Sequence, residues 1–313
     1  MSRRNFLATL SAVSLAWACN APVDETPAEL EQVSQGLATL QLDREVKISQ
    51  LLPLSGVTDY EASGVHLQNG SLYVVFDNMT KIGRISPGLT SGSYVSGGSS
   101  SQNSQYEGIT YDGYNTEHFY VVAEGSSQGR VIQYDSAASA SSATPEATDV
   151  TFSSGNTGFE GVAWLRRNGN DYLLGLCEGQ SCTSTLGGSL PGGIKVLAQS
   201  GTSWVTETTL YLPSSANFAD FSDIALLPSL NGTFKVAVTS QVSKRLWIGT
   251  LSATSWSFLD SGTVYAFPSS SYCNVEGVTF LSATQLAMVS DMTTDTTSAC
   301  NDKDEMVHVF SLP

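Results

Sequence analysis

Positive charge is scarce in this sequence. Only 14 Lys and Arg face 29 Asp and Glu, for a formal charge of −15. Nucleic acid is excluded as a partner, because a phosphate backbone needs a Lys/Arg surface. Charged residues are sparse altogether, at 14%, and helical Leu/Ala/Glu/Lys stretches are missing after residue 45. No apolar run is long enough for a membrane span, since the run from Phe6 to Trp17 is too short. Three His residues are scattered and no C-x-x-C pair occurs, so zinc has no signature. What is abundant is Gly, Ser and Thr between short apolar runs, the profile of many strands joined by turns. The length suits one large all-β domain.

The N-terminus reads as an address. Ser2-Arg3-Arg4-Asn5-Phe6-Leu7 resembles the twin-arginine export motif, and Ala16-Trp17-Ala18 fits small-x-small cleavage before Cys19. The expected division is a signal peptide over 1–18, an acidic tether over 19–42 and the domain over 43–313. Cys19 stands where a lipoprotein carries its lipid, the one membrane link expected; plain cleavage with an incidental Cys is the alternative. The destinations are the periplasm, the outer membrane as a lipoprotein, or the outside of the cell. Of five Cys, Cys19 is the odd one. Cys177 and Cys182 bracket a short loop, and Cys273 and Cys300 flank the last repeat, so two disulfides are expected.

Internal repetition carries the fold. Five times a short motif opens an apolar strand, a turn follows, and a second apolar strand ends at an acid or amide. The motifs are Glu61-Ala-Ser63-Gly64, Tyr106-Glu107-Gly108, Phe159-Glu160-Gly161, Asp220-Phe-Ser222-Asp223 and Val275-Glu276-Gly277. The strand ends are Asp77, Glu124, Glu178, Gln241 and Asp291. Asn69-Gly70, Asp112-Gly113, Asn168-Gly169 and Asn231-Gly232 read as hairpin turns. Further strands follow at Ile82–Ser86, Arg130–Tyr134, Ile194–Gln199, Arg245–Thr250 and Val307–Ser311. The pattern predicts a five-bladed β-propeller, monomeric, with Arg44–Leu52 completing the last blade from the N-terminus. A six-bladed ring and a β-sandwich are the rivals.

In a propeller the start of each innermost strand faces the axis. Ser63, Glu107, Glu160, Ser222 and Glu276 therefore converge, and three carboxylates in one channel repel unless a cation neutralises them. Oxygen ligands without His or Cys suit Ca²⁺. Turn chemistry at strand starts is the plainer alternative.

This ordered series resembles that of the five-bladed calcium-activated nucleotidases (apyrases), whose central calcium is held by Ser, Glu, Glu, Ser and Glu from successive blades. Tyr73–Ile85 with Asp77 is similar to the strand that bears their active-site Asp. The repeat wording over residues 44–313 resembles the SdiA-regulated and esterase-like phytase-related propellers as well. The resemblance implies a propeller with an axial calcium. It does not carry nucleotide hydrolysis over, because Asn78 stands where an Arg would hold phosphate.

Two functions follow as expectations. One is a binding scaffold whose face recognises a small-molecule or surface ligand, with calcium structural. The other is a calcium-dependent hydrolase of esters or phosphoesters, with Asp77, Glu124 or Asp291 as base or ligand. The outer acids also read as a second metal shell or a solvated rim. Gly125–Gly129 matches G-x-S-x-G but lacks a following helix, so the nucleophile reading is set aside. His66 reads as channel-lining or as an ordinary strand residue.

Overall fold

A computed structural model describes residues 37–114, 116–125, 127–153, 158–178, 182–184, 186–188, 192–292 and 299–313. Arg3, Arg4 and Cys19, on which the export reading rests, lie outside them, as does Ser126. One compact unit runs from Leu37 to Pro313.

The strands pair as antiparallel neighbours in chain order. The first series is Ala62–Gln68, Ser71–Phe76, Gly83–Ile85 and Gly92–Tyr94; the second is Tyr106–Asp112, His118–Ala123, Gln128–Tyr134 and Thr144–Thr151. The third is Phe159–Arg167, Asn170–Cys177, Gly193–Ser200 and Ser203–Tyr211, joined to the second where Ala147 and Thr148 pair parallel with Ser203 and Trp204. The fourth is Asp223–Pro228, Phe234–Ser240, Arg245–Leu251 and Thr263–Ala266, with Ala38–Thr39 added in parallel at its edge. The last is Val275–Ser282, Gln285–Ser290, Met306–Ser311 and Gln41–Lys47. The N-terminal strand thus closes the final sheet, pairing Val46 with Val307. The expected strand through Leu52 stops early: Ile48–Leu51 is one helical turn. Its Ile48 and Leu51 are buried among Tyr60, Leu72 and Phe76.

The first strand of each series touches the first strand of the next, and Val275–Ser282 returns to Ala62–Gln68. All line a narrow cavity of ≈30 Å³ that includes His66, Thr110, Trp164 and Thr279. The chain is an all-β propeller.

Local chemistry explains the turns. Asn69 and Gly70 both take positive φ (47° and 69°), the conformation a two-residue hairpin needs and Asn-Gly tolerates. Asp112-Gly113 differs from expectation. The Asp112 carboxylate accepts the Tyr114 N–H at 2.8 Å and the Thr116 N–H at 3.3 Å, capping a longer loop. Between the sheets, aromatic side chains fill the core: Tyr120 meets Trp204 edge-on at 5.4 Å and Phe152 meets Phe159 at 5.2 Å. Disulfides join Cys177 to Cys182 and Cys273 to Cys300, as the spacing predicted. Among the described residues no helix is long and apolar enough to cross a membrane.

Candidate functional site

The motif residues are aimed by bulges. Ladder register shifts between Ala62 and Gly64, Tyr106 and Gly108, Phe159 and Gly161, and Val275 and Gly277. Ser63, Glu107, Glu160 and Glu276 are therefore each the extra residue of a bulge, a device that turns a side chain out of the pleat. The fourth motif reaches a similar geometry from outside its strand. The Ser222 N–H donates to the Thr239 carbonyl at 3.0 Å, while Asp223 pairs with the same Thr239.

The residues after them fix how closely the strands approach. A Cβ on Gly64 would lie 2.7 Å from the Glu107 carbonyl oxygen, and one on Gly108 2.7 Å from the Val162 nitrogen. One on Gly277 would lie 3.0 Å from Gly64 Cα, so the last strand packs on the first. Asp223 replaces glycine in the fourth motif, and its carboxylate spans the gap. Oδ1 accepts the Ile224 N–H at 2.7 Å and Oδ2 accepts the Val278 N–H at 2.8 Å. Thr239 adds a second tie, its hydroxyl donating to the Glu276 carbonyl at 2.7 Å. Blade contact thus holds the backbone on both sides of the Glu276 bulge.

Antiparallel pairing places the end of each second strand beside the start of the first. The Asp77 N–H donates to Glu61 O at 2.8 Å, Glu124 N–H to Gln105 O at 2.8 Å, and Asp291 N–H to Asn274 O at 2.9 Å. The predicted inner set and the predicted outer acids consequently share one end of the channel. Among the described residues, three carboxylates offer oxygens within 4.8 Å of one another: Glu124, Glu160 and Glu178. Glu107 and Glu276 stand outside that group. Ser63 and Ser222 are buried at the same end, the Ser222 hydroxyl accepting the Gln241 N–H at 3.1 Å.

Among the described residues these acids lack cationic partners. None takes part in the ion pairs seen among the described residues. Glu160 Oε1, Asp77 Oδ1 and Asp291 Oδ1 are enclosed without a hydrogen bond. Arg130, close to Glu124, donates instead to its main-chain carbonyl at 2.6 Å. Burial and mutual repulsion push the carboxyls of Glu107, Glu160 and Glu276 well above the usual range. Glu160 and Glu276 lie deep in the protein yet keep some exposed surface. Asp291 is pushed up to about 7, chiefly by burial. Burial also raises Asp77 and Glu124, against a hydrogen bond from Gln105 and one between Glu124 and Glu160 that lower them.

Two acids of the motifs have roles that escaped the sequence reading. Glu61, two residues before Ser63, is raised by burial and by Asp77 and Asp59. Asp220 receives the Val242 N–H at 3.0 Å and the Ser240 hydroxyl, so it caps the chain beside the cluster, where its charge also acts on Glu178 and Glu276. Its place in a motif gave no hint of that. His66 lines the channel, and burial lowers it to about 4, leaving it neutral at pH 7. His118 meets Gln133, and His308 lies between Ser290 and Glu45, so the three His are apart.

The donor set is all oxygen, acidic and free of His and Cys, which fits a hard divalent cation and not zinc. Without one, the carboxyls must hold protons to coexist.

No curated protein matches the chain in sequence. Among solved structures it is similar to an exo-β-1,3-galactanase from Phanerochaete chrysosporium, at 7% identity and TM-score 0.51, covering 85% of this chain and 64% of that one. An aldose sugar dehydrogenase from Streptomyces coelicolor, in its PQQ-bound form, shares 14% identity at TM-score 0.48, over 88% of this chain and 98% of that one. An α-L-arabinofuranosidase from Lactobacillus brevis shares 13% at TM-score 0.49, over 85% and 94%. At 7% identity the galactanase speaks to fold alone. Within the chain itself, residues 37–175 match the family described as SdiA-regulated.

Proposed function

We propose that this chain is an exported five-bladed propeller that binds Ca²⁺ at the acidic mouth of its channel and serves as a binding scaffold at the cell surface or outside the cell. Each of the five strand series supplies one blade, which agrees with one motif per series. The observation that carries the cation is Glu160: its carboxylate is enclosed, Oε1 has no donor, and its neighbours are acids. Ser63, Glu107, Glu160, Ser222 and Glu276 would hold the ion, which supplies the positive charge the chain lacks there. In this reading the residues orient one another through the bulges, and the ion staples the first strands together. The ligand is a small molecule or a surface group met by the mouth face, and the protomer acts alone. Export rests on Arg3-Arg4 and the cleavage site before Cys19. Two disulfides agree with an oxidising compartment.

A second reading has one observation in its favour. Asp291, pushed up to about 7, can both give and take a proton near neutral pH. A hydrolase would use Asp77, Glu124 or Asp291 on an ester or phosphoester oriented by the ion. Thermal unfolding with calcium and with chelator, beside an ester and phosphoester turnover screen, separates the two. A melting shift without turnover supports the scaffold. Turnover abolished by Asp291→Asn supports the hydrolase. Identical melting with and without calcium overturns both.

A further inference from the structure

We infer that the mouth takes a second divalent cation, displaced from the axis onto Glu124, Glu160 and Glu178, with Glu160 shared between the two positions. The inference rests on the calcium reading above and extends it.

Charge is the first argument. Three motif carboxylates (Glu107, Glu160, Glu276) and four strand-end carboxylates (Asp77, Glu124, Glu178, Asp291) meet at this end. One divalent ion offsets two negative charges, and after burial itself the strongest influences on Glu107, Glu160 and Glu276 are other acids. An axial ion alone leaves Glu124 and Glu178 facing each other across Glu160.

Geometry is the second. Glu124, Glu160 and Glu178 present oxygens within 4.8 Å of one another, a spread one ion can span. They come from two adjacent blades: Glu124 from the end of His118–Ala123, Glu160 from the bulge of Phe159–Arg167, Glu178 from the end of Asn170–Cys177. Glu160 lies deep in the protein, and its Oε1 lacks a hydrogen bond while its other contact is Glu124 itself. Two carboxyl groups in hydrogen-bond contact need a proton between them, and a cation replaces that proton.

Among the described residues no cation pairs with these carboxylates. Arg130 donates to the Glu124 main-chain carbonyl and not to its carboxylate. Gly158 packs against the Glu124 side chain: a Cβ there would lie 2.7 Å from Glu124 Cγ and 3.0 Å from its Oε1. Any other residue would push this carboxylate aside.

The test is calcium stoichiometry on the intact chain by isothermal titration, checked by native mass spectrometry. Wild type is expected to bind two ions, and Glu178→Gln to bind one, with the remaining event changed less than about threefold. Glu124→Gln is the second variant and should also bind one ion, so that a folding defect in either does not decide the matter. Both variants are first shown to unfold cooperatively. A wild type that binds one ion, unchanged by Glu178→Gln, overturns the second position and leaves the axial ion standing. A wild type that binds none overturns the calcium reading itself and the second position with it.

Discussion

Glu45 and Glu160 are the same side chain in opposite circumstances. At the seam where Gln41–Lys47 closes the last sheet, Glu45 meets His308 Nδ1 at 3.1 Å, the Lys303 ammonium and the Tyr272 hydroxyl at 3.3 Å. The His308 hydrogen bond is the main reason its carboxyl falls to about 2. At the mouth, Glu160 is buried with acids for neighbours, and its carboxyl rises. The seam carries its own counter-charge within the sequence, the Lys303 ammonium. In the proposed function the mouth takes its counter-charge from solution. The difference teaches that a buried acid marks a cation site only when the chain has not already supplied the counter-charge.

Substitutions sharpen this contrast in order of expected effect. Asp223→Ala removes the acceptor of two buried backbone N–H groups and loosens the Glu276 bulge. It should cost about 2–4 kcal/mol in chemical denaturation, with calcium affinity reduced as well. Glu45→Ala leaves the buried His308 ring without one partner. It should cost about 1–3 kcal/mol, equally with calcium and with chelator, because it acts at the seam. Glu160→Gln should do the opposite of both in chelator. Removing one of several repelling acids raises stability by about 1 kcal/mol, seen as a melting point roughly 2–4 °C higher. In calcium the same variant should lose most of the ion's stabilisation. A Glu160→Gln protein that is destabilised in chelator would mean that the chain itself supplies counter-charge to Glu160, and would break the contrast.

Much of this was legible in the sequence. The five motifs, most of the strands, the N-terminal closure and both disulfides follow from spacing and turn chemistry. What was hidden depends on pairing between strands far apart in sequence. Bulges at Ser63, Glu107, Glu160 and Glu276 appear only once each first strand is set against its second. The tight grouping of Glu160 with Glu124 and Glu178 follows from that register, and a motif-by-motif reading, which set Glu160 with Glu107 and Glu276, did not show it. Asp223 reads as an imperfect motif until its carboxylate is seen bridging two blades. Asp112-Gly113 looked like a tight turn because the side-chain cap that lengthens it cannot be read from the dipeptide.

The most direct measurement is melting temperature against pH, from about 5 to 8, with chelator and with calcium. Without calcium, the folded protein holds protons that the unfolded chain releases. Asp291 titrates at about 7 when folded, against an ordinary aspartate value of 3.8, and Glu107, Glu160 and Glu276 are also raised. Because the native state binds more protons, stability is greatest below the unfolded pKa and declines as pH rises through the folded values. The account predicts a falling curve in chelator, and in calcium a flat or rising one that lies above it at pH 8. Curves that coincide across the range would contradict the claim that these acids await a cation.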